Sequence, residues 1–180
     1  AGSARLSATS CDELFAGHED QLARDLRIER ALVETVATLE RNAIPYRALK
    51  GPLLAHLDYD DPAQRSFGDV DVLVRGRDFD SAVRTLRALG FERGFIEPRR
   101  GFDARFSKGA GLRRFDGMEV DLHRTLAPGA YGILLERADL FGRHPRVFRL
   151  GSQAVSGLDR HLAFVHACFH AALGNYPPRL

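Results

Sequence analysis

The chain has 180 residues, 44% of them apolar and 28% charged, with a net charge of +2; that profile fits one ordinary globular core with room for a small helical appendage. No apolar run approaches the roughly 18 residues that a membrane span needs. Acidic residues are spread throughout, so the concentrated basic stripe of a dedicated nucleic-acid binder is missing.

Residues 1–3 (Ala-Gly-Ser) read as a tag remnant, and residues 1–18 as a flexible N-terminus. Leu22, Leu26, Leu32, Val36 and Leu39 then recur at helical spacing and predict a long amphipathic helix over residues 21–42. A short strand is expected at 44–49. Lys50-Gly51-Pro52 turns into a helix reaching about Leu57, with Pro52 suited to its first turn. After a polar loop, residues 69–74 form a strand with its valines on one face. A helix over 78–89 ends at Gly90, in the place of a C-cap glycine. Residues 91–96, 102–107 and 118–123 are expected as three further strands. Gly109-Ala110-Gly111 reads as a turn between them, and Asp116-Gly117 as a hairpin. A helix over 133–141, a strand over 146–150 and an apolar helix over 158–173 complete the chain.

This order predicts an α/β (α+β) fold whose mixed sheet is partly antiparallel and flanked by helices, not a doubly wound dinucleotide fold. Residues 19–150 are expected to form the main domain, and 151–180 the start of a C-terminal helical region. The abrupt end at residues 176–180 suggests a piece of something longer. Two cysteines, Cys11 and Cys168, lie in no CxxC or Cys/His cluster, and a reducing cytoplasm is the natural setting.

The chemistry concentrates in carboxylates. Residues two apart on a strand point the same way, so Asp69 and Asp71 share a face about 6–7 Å apart. Two ionised carboxylates at that spacing repel unless cations sit between them. Asp121 again interrupts an apolar strand in Val120-Asp121-Leu122. If the two strands are neighbours, the three aspartates make an all-oxygen site suited to Mg²⁺. Asp-x-Asp on a half-exposed strand is common without function. Aspartate is nonetheless a poor strand former, and three within apolar runs need a reason.

Of 26 basic residues only Lys50 and Lys108 are lysines, so a retained lysine stands out, arginine and lysine being different phosphate ligands. Lys50 sits where a strand turns into a helix, and helix N-termini favour anions. With Arg65 from the following loop it could hold a triphosphate; a plain β–α turn with an exposed lysine is the bland alternative.

Leu49-Lys50-Gly51, Tyr59 with Asp61-Pro62, Arg65, Gly68-Asp69-Val70-Asp71-Val72-Leu73-Val74 and Glu119-Val120-Asp121-Leu122-His123 together resemble the uncharacterised branch of the nucleotidyltransferase superfamily. The resemblance spans about residues 20–175 and implies the DNA polymerase β-like nucleotidyltransferase fold. It further implies that Asp69 and Asp71 ligate two Mg²⁺ ions, and that Asp121 ligates the catalytic ion and helps deprotonate an acceptor hydroxyl. Lys50, Gly51, Arg65, Ser66, Gly68 and His123 would bind the nucleotide, ATP being the expected NTP. The acceptor would be a small molecule, a protein side chain or an RNA end. One departure is visible: the superfamily usually has Gly-Ser or Gly-Gly at the phosphate turn, whereas Pro52 follows Gly51 here. Proline removes a backbone donor and a hydroxyl.

Other signals are weaker. His166 and His170 share a helix face at i, i+4 spacing, but no glutamate follows His166 as in a metalloprotease motif, so cleft-wall histidines are expected. Arg99, Arg100, Arg105, Lys108, Arg113 and Arg114 make the strand meander basic. They read either as solvated edge strands or as a surface for a polyanion such as RNA. A toxin–antitoxin or regulatory nucleotide-binding module, without catalysis, is the competing functional reading.

Overall fold

The computed structural model describes residues 7–136, 139–142 and 144–173. The expected tag remnant at 1–3 and the chain end at 176–180 lie outside them. Helix α1 (Ala8–Arg41) opens the chain, capped by the Ser7 hydroxyl, which accepts from the Ser10 N–H. It begins well before the expected residue 21. Its first turns leave Leu14 and Phe15 more than half exposed, so no buried face marked them in the sequence. Packing starts at Asp25 and continues through Ile28, Leu32, Val36 and Leu39. Leu26, expected on that face, is exposed instead.

Strands β1 (Tyr46–Ala48) and β2 (Val70–Val74) pair antiparallel, joined through helix α2 (Pro52–Asp58) and a 3-10 turn at Pro62–Gln64. Helix α3 (Phe79–Arg87) follows. Strand β3 is only Glu92–Arg93, shorter than expected, and leaves Phe95 and Ile96 exposed. The expected strand at 102–107 is instead a helical turn, α4 (Phe102–Arg105). Gly101 precedes it in the left-handed region, and the Phe102 and Phe106 rings meet at 5.3 Å in the i, i+4 relation of a helix.

Gly109-Ala110-Gly111, expected as a turn, lies inside strand β4 (Gly109–Arg113), which pairs antiparallel with β5 (Glu119–His123). The glycines serve close approach rather than turning. A Cβ on Gly109 would stand 2.2 Å from the Leu122 carbonyl oxygen. The expected hairpin at Asp116-Gly117 does form, with Gly117 at φ +82°. Helix α5 (Gly129–Glu136) starts earlier than predicted. A hairpin of β6 (Arg146–Leu150) and β7 (Gln153–Gly157) leads into α6 (Arg160–Leu173). β7, not foreseen, pairs in parallel with β1, so the sheet continues past residue 150.

Among the described residues seven strands run β3-β4-β5-β2-β1-β7-β6, with β2–β5 and β1–β7 parallel and the other pairings antiparallel. The fold is thus the expected mixed, largely antiparallel sheet with flanking helices. One face buries Val70, Val72, Val74, Leu112, Val120 and Leu122 against α1 and α3. On the other face Leu73 joins Leu49, Leu126, Leu140 and Leu158 in a smaller cluster that borders α5 and α6. Asp71 and Asp121 lie beside that cluster.

Candidate active site

β2 and β5 run parallel with Val70 beside Val120 and Asp71 beside Asp121. In-register neighbours share a face, so the valines enter the core and the aspartates emerge together. Asp71 is almost wholly buried, and Asp121 is half-buried. His123, two residues along, faces the same side; one ligand atom from each of Asp71, Asp121 and His123 falls within 4.8 Å of the other two. Asp69, just before β2, is half-buried and lies close enough for Asp71 and Asp121 to act on its charge.

Lys50 is placed by the backbone. The Leu49 N–H donates to the Asp71 carbonyl at 3.1 Å, which sets the turn against β2. The Lys50 ammonium then stands 3.0 Å from Asp71 Oδ2. That contact is ionic rather than a well-directed hydrogen bond, and Oδ2 keeps a lone pair unengaged. Asp71 Oδ1 accepts from His123 Nε2 at 2.9 Å. A carboxylate can only accept, so Nε2 carries a proton, and Nδ1 is buried without a hydrogen-bond partner.

Burial works against charge on Asp71, yet the His123 hydrogen bond, the His123 charge and Lys50 together bring its carboxyl down to about 2. Asp69 is shifted the other way. Burial raises its pKa first, and repulsion from Asp71 adds to it. Burial opposes the Lys50 charge as well, but Asp71 outweighs it and the ammonium is stabilised. These two aspartates therefore differ sharply in how firmly they hold a negative charge.

The second lysine also reaches this place. Lys108 precedes β4, where its carbonyl accepts from the Arg124 N–H at 2.8 Å. Burial first, then Lys50, lowers its pKa, while Asp71, Asp121 and Asp69 pull the other way. Both lysines of the chain thus face the same carboxylates. The scarcity that marked Lys50 in the sequence marked Lys108 equally, but the arginines around it suggested a solvated edge. α6 closes the site from above: the His166 ring is 6.3 Å from that of His123 and 6.3 Å from that of His170.

The remaining expected residues lie on the turn after β1 and on the loop that leads into β2. Gly51 is buried in the left-handed region at φ +57°, where a Cβ would touch Phe67 and the Asp69 carbonyl. Only glycine adopts that backbone readily. The loop carrying Gly68 is held by Asp25, which accepts from the Phe67 N–H at 3.4 Å. Arg65 lies with its guanidinium 5.9 Å over the Tyr59 ring, its Nε buried and without a partner. Ser66 and Gly68 are exposed.

The family model described as "Uncharacterised nucleotidyltransferase" matches residues 3–176. The chain belongs to that family. A solved structure titled as the lincosamide antibiotic adenylyltransferase LnuA, lincomycin-bound, superposes with a TM-score of 0.51 at 11% identity, covering 76% of this chain and 84% of the other. A second, titled as an antigenic nucleotidyltransferase-like protein from Paracoccidioides brasiliensis, gives a TM-score of 0.45 at 13% identity over 84% of this chain and 78% of the other. No curated protein matches. The nucleotidyltransferase thus shares the fold of the first structure, and its carboxylates form a candidate metal centre. Among the described residues no helix is long and apolar enough to cross a membrane.

Proposed function

We propose that this nucleotidyltransferase moves a nucleoside monophosphate from an NTP, ATP foremost, to an acceptor hydroxyl with the help of Mg²⁺. The observation that carries the reading is the in-register pair of Asp71 and Asp121, with Asp69 at the head of the same strand and Lys50 against Asp71. The donor set fits a divalent ion. Asp71 and Asp121 offer carboxylate oxygens on one face, Asp69 lies just before the same strand with its charge destabilised first by burial and then by Asp71, and Asp71 Oδ2 has an open lone pair. Two bound Mg²⁺ ions would stabilise the entering and leaving oxygens of an in-line displacement.

The residues divide the remaining work. Protonated at Nε2, His123 is no ligand through that atom; it orients Asp71 and keeps it ionised. Lys50, relieved of Asp71 when that carboxylate held an ion, would contact triphosphate oxygens, and Lys108 would add a second positive charge beside the leaving pyrophosphate. Asp121, the more accessible carboxylate, accepts the proton of the attacking hydroxyl. Pro52 gives the phosphate turn one N–H fewer, which places more of the burden on the lysines. The two cysteines, both unpaired, suit a reducing cytoplasm.

The test is direct. Asp69→Asn or Asp71→Asn should abolish Mg²⁺-dependent pyrophosphate release, followed with a coupled phosphate assay, while the circular dichroism spectrum stays unchanged. Wild-type rates in either folded variant would refute the assignment.

A further inference from the structure

Beyond Asp121 the site face of the sheet lies open. α5 and α6 cover it on the β2 side, but along β5, β4 and β3 it forms a cleft of about 850 Å³ that reaches Asp121. Register explains its floor. Glu119 and Asp121 of β5 stand opposite Arg113 and Gly111 of β4, and Arg113 stands opposite Glu92 of β3. A Cβ at Gly111 would lie 3.4 Å from Asp121 Oδ1, so glycine keeps the approach to that carboxylate clear. Gly94, whose N–H donates to the Gly111 carbonyl at 3.0 Å, extends the bare floor.

Three arginines line this cleft, yet each is already matched by a carboxylate. Arg113 pairs with Glu119 and Arg93 with Asp103. Arg114 meets Glu34 and Asp116, each at 2.8 Å. Glu92, by contrast, is exposed and has no ion-pair partner among the described residues. The unbalanced charge along the cleft is therefore the negative one of Glu92, Asp121 being shared with Lys50, Lys108 and the ions proposed above. Phe95 and Phe115 also line it, 89% and 97% exposed, and offer aromatic faces to an apolar or cationic group. A phosphate-rich strand needs free cations along its path, and this lining presents spent ones.

We propose that the cleft is the acceptor subsite, and that the acceptor is a small amphipathic hydroxyl compound, uncharged or cationic, rather than a nucleic acid. The inference rests on the nucleotidyl transfer proposed above. In the step, the acceptor oxygen bonds to the α-phosphorus of the NTP, its proton passes to Asp121, and the α–β phosphoanhydride bond breaks to release pyrophosphate.

The full chain, given Mg²⁺, α-labelled ATP and an extract of the producing cells, should place label in material that passes a protein-retaining membrane and survives nuclease and protease. Gly94→Leu, which adds bulk to the floor away from Asp121, should cut that transfer by about tenfold or more and leave the ATP–Mg²⁺ thermal shift in place. Phe115→Ala, an exposed change that the fold tolerates, should weaken transfer in the same direction through a higher KM for the labelled acceptor. Label in RNA or protein overturns the proposal, as does full transfer by both variants. ATP binding with no small labelled product also overturns it. Absence of any ATP–Mg²⁺ thermal shift in the wild type brings down nucleotidyl transfer itself, which separates the two failures.

Discussion

His166 sits on α6 with its ring against His123 and its Nε2 buried without a partner. Burial first, then the positive potential of His123 and Lys108, lowers its pKa from 6.5 to about 3. Because the folded value lies below the unfolded one, the unfolded chain takes up the proton first as pH falls. Stability is intact above about 6.5 and should decline steadily toward about 3. Asp71 adds a separate loss lower down, between its unfolded value of 3.8 and about 2. His166→Phe, a ring of similar size with no proton to gain, should flatten most of the upper slope in urea titrations at stepped pH. An unchanged slope would mean that His166 is already accessible to protons. At this scale the sequence showed the carboxylates, through alternation that put aspartates where strands want apolar groups. The cation environment was less legible: Lys108 and His166 approach Asp71 only because β4 and α6 fold over β2, contacts that no local spacing encodes.

Elements were legible where their own residues dictate them and not where a neighbour does. β2 and β5 announced themselves by valine and leucine on alternate positions, and the site rests on them. β4 did not. Gly109 and Gly111 imitate a turn locally, and their reason becomes visible only when the Leu122 carbonyl and Asp121 stand opposite. The helical turn α4 was likewise masked by phenylalanines that favour strands. The end of α1 shows the reverse case, a sequence choice that the structure tolerates at a cost. Ala43 follows the helix with φ +54°, a left-handed conformation costing an L-residue about 1–2 kcal/mol, and its N–H still bonds to the Glu40 carbonyl at 2.9 Å. Ala43→Gly relieves that strain but adds unfolded-state freedom worth roughly 0.5–1 kcal/mol. The net expectation is a gain of about 0–1.5 kcal/mol, read from the denaturation midpoint at constant slope. A loss of stability would show that the Ala43 methyl packs usefully despite its backbone.

Across the whole molecule the carboxylate centre is a junction. Lys50 comes from the turn after β1, Asp71 from β2, Asp121 and His123 from β5, Lys108 from the approach to β4, and His166 from α6. The strands among these elements are tied to one another through the sheet, and α6 packs over them, so that all face the same few ångströms. Charge balance there is therefore linked to the stability of the entire fold. Without a divalent ion, Asp69, Asp71 and Asp121 repel one another and lean on Lys50 for relief. An ion that binds only the folded chain should stabilise it by about 2.7 kcal/mol at a hundredfold excess over its Kd. For a chain of this size that is a rise in Tm of about 5–10 °C. Differential scanning fluorimetry with rising Mg²⁺, and then with EDTA, measures it. The shift should vanish in Asp71→Asn, whose Oδ2 no longer carries charge, and should persist in His166→Phe, which touches no carboxylate. A shift equal in wild type and Asp71→Asn would place the bound ion elsewhere on the surface. A wild type indifferent to Mg²⁺ until ATP is present would mean that the ions enter with the triphosphate, the carboxylates alone being too well satisfied by Lys50 to hold them.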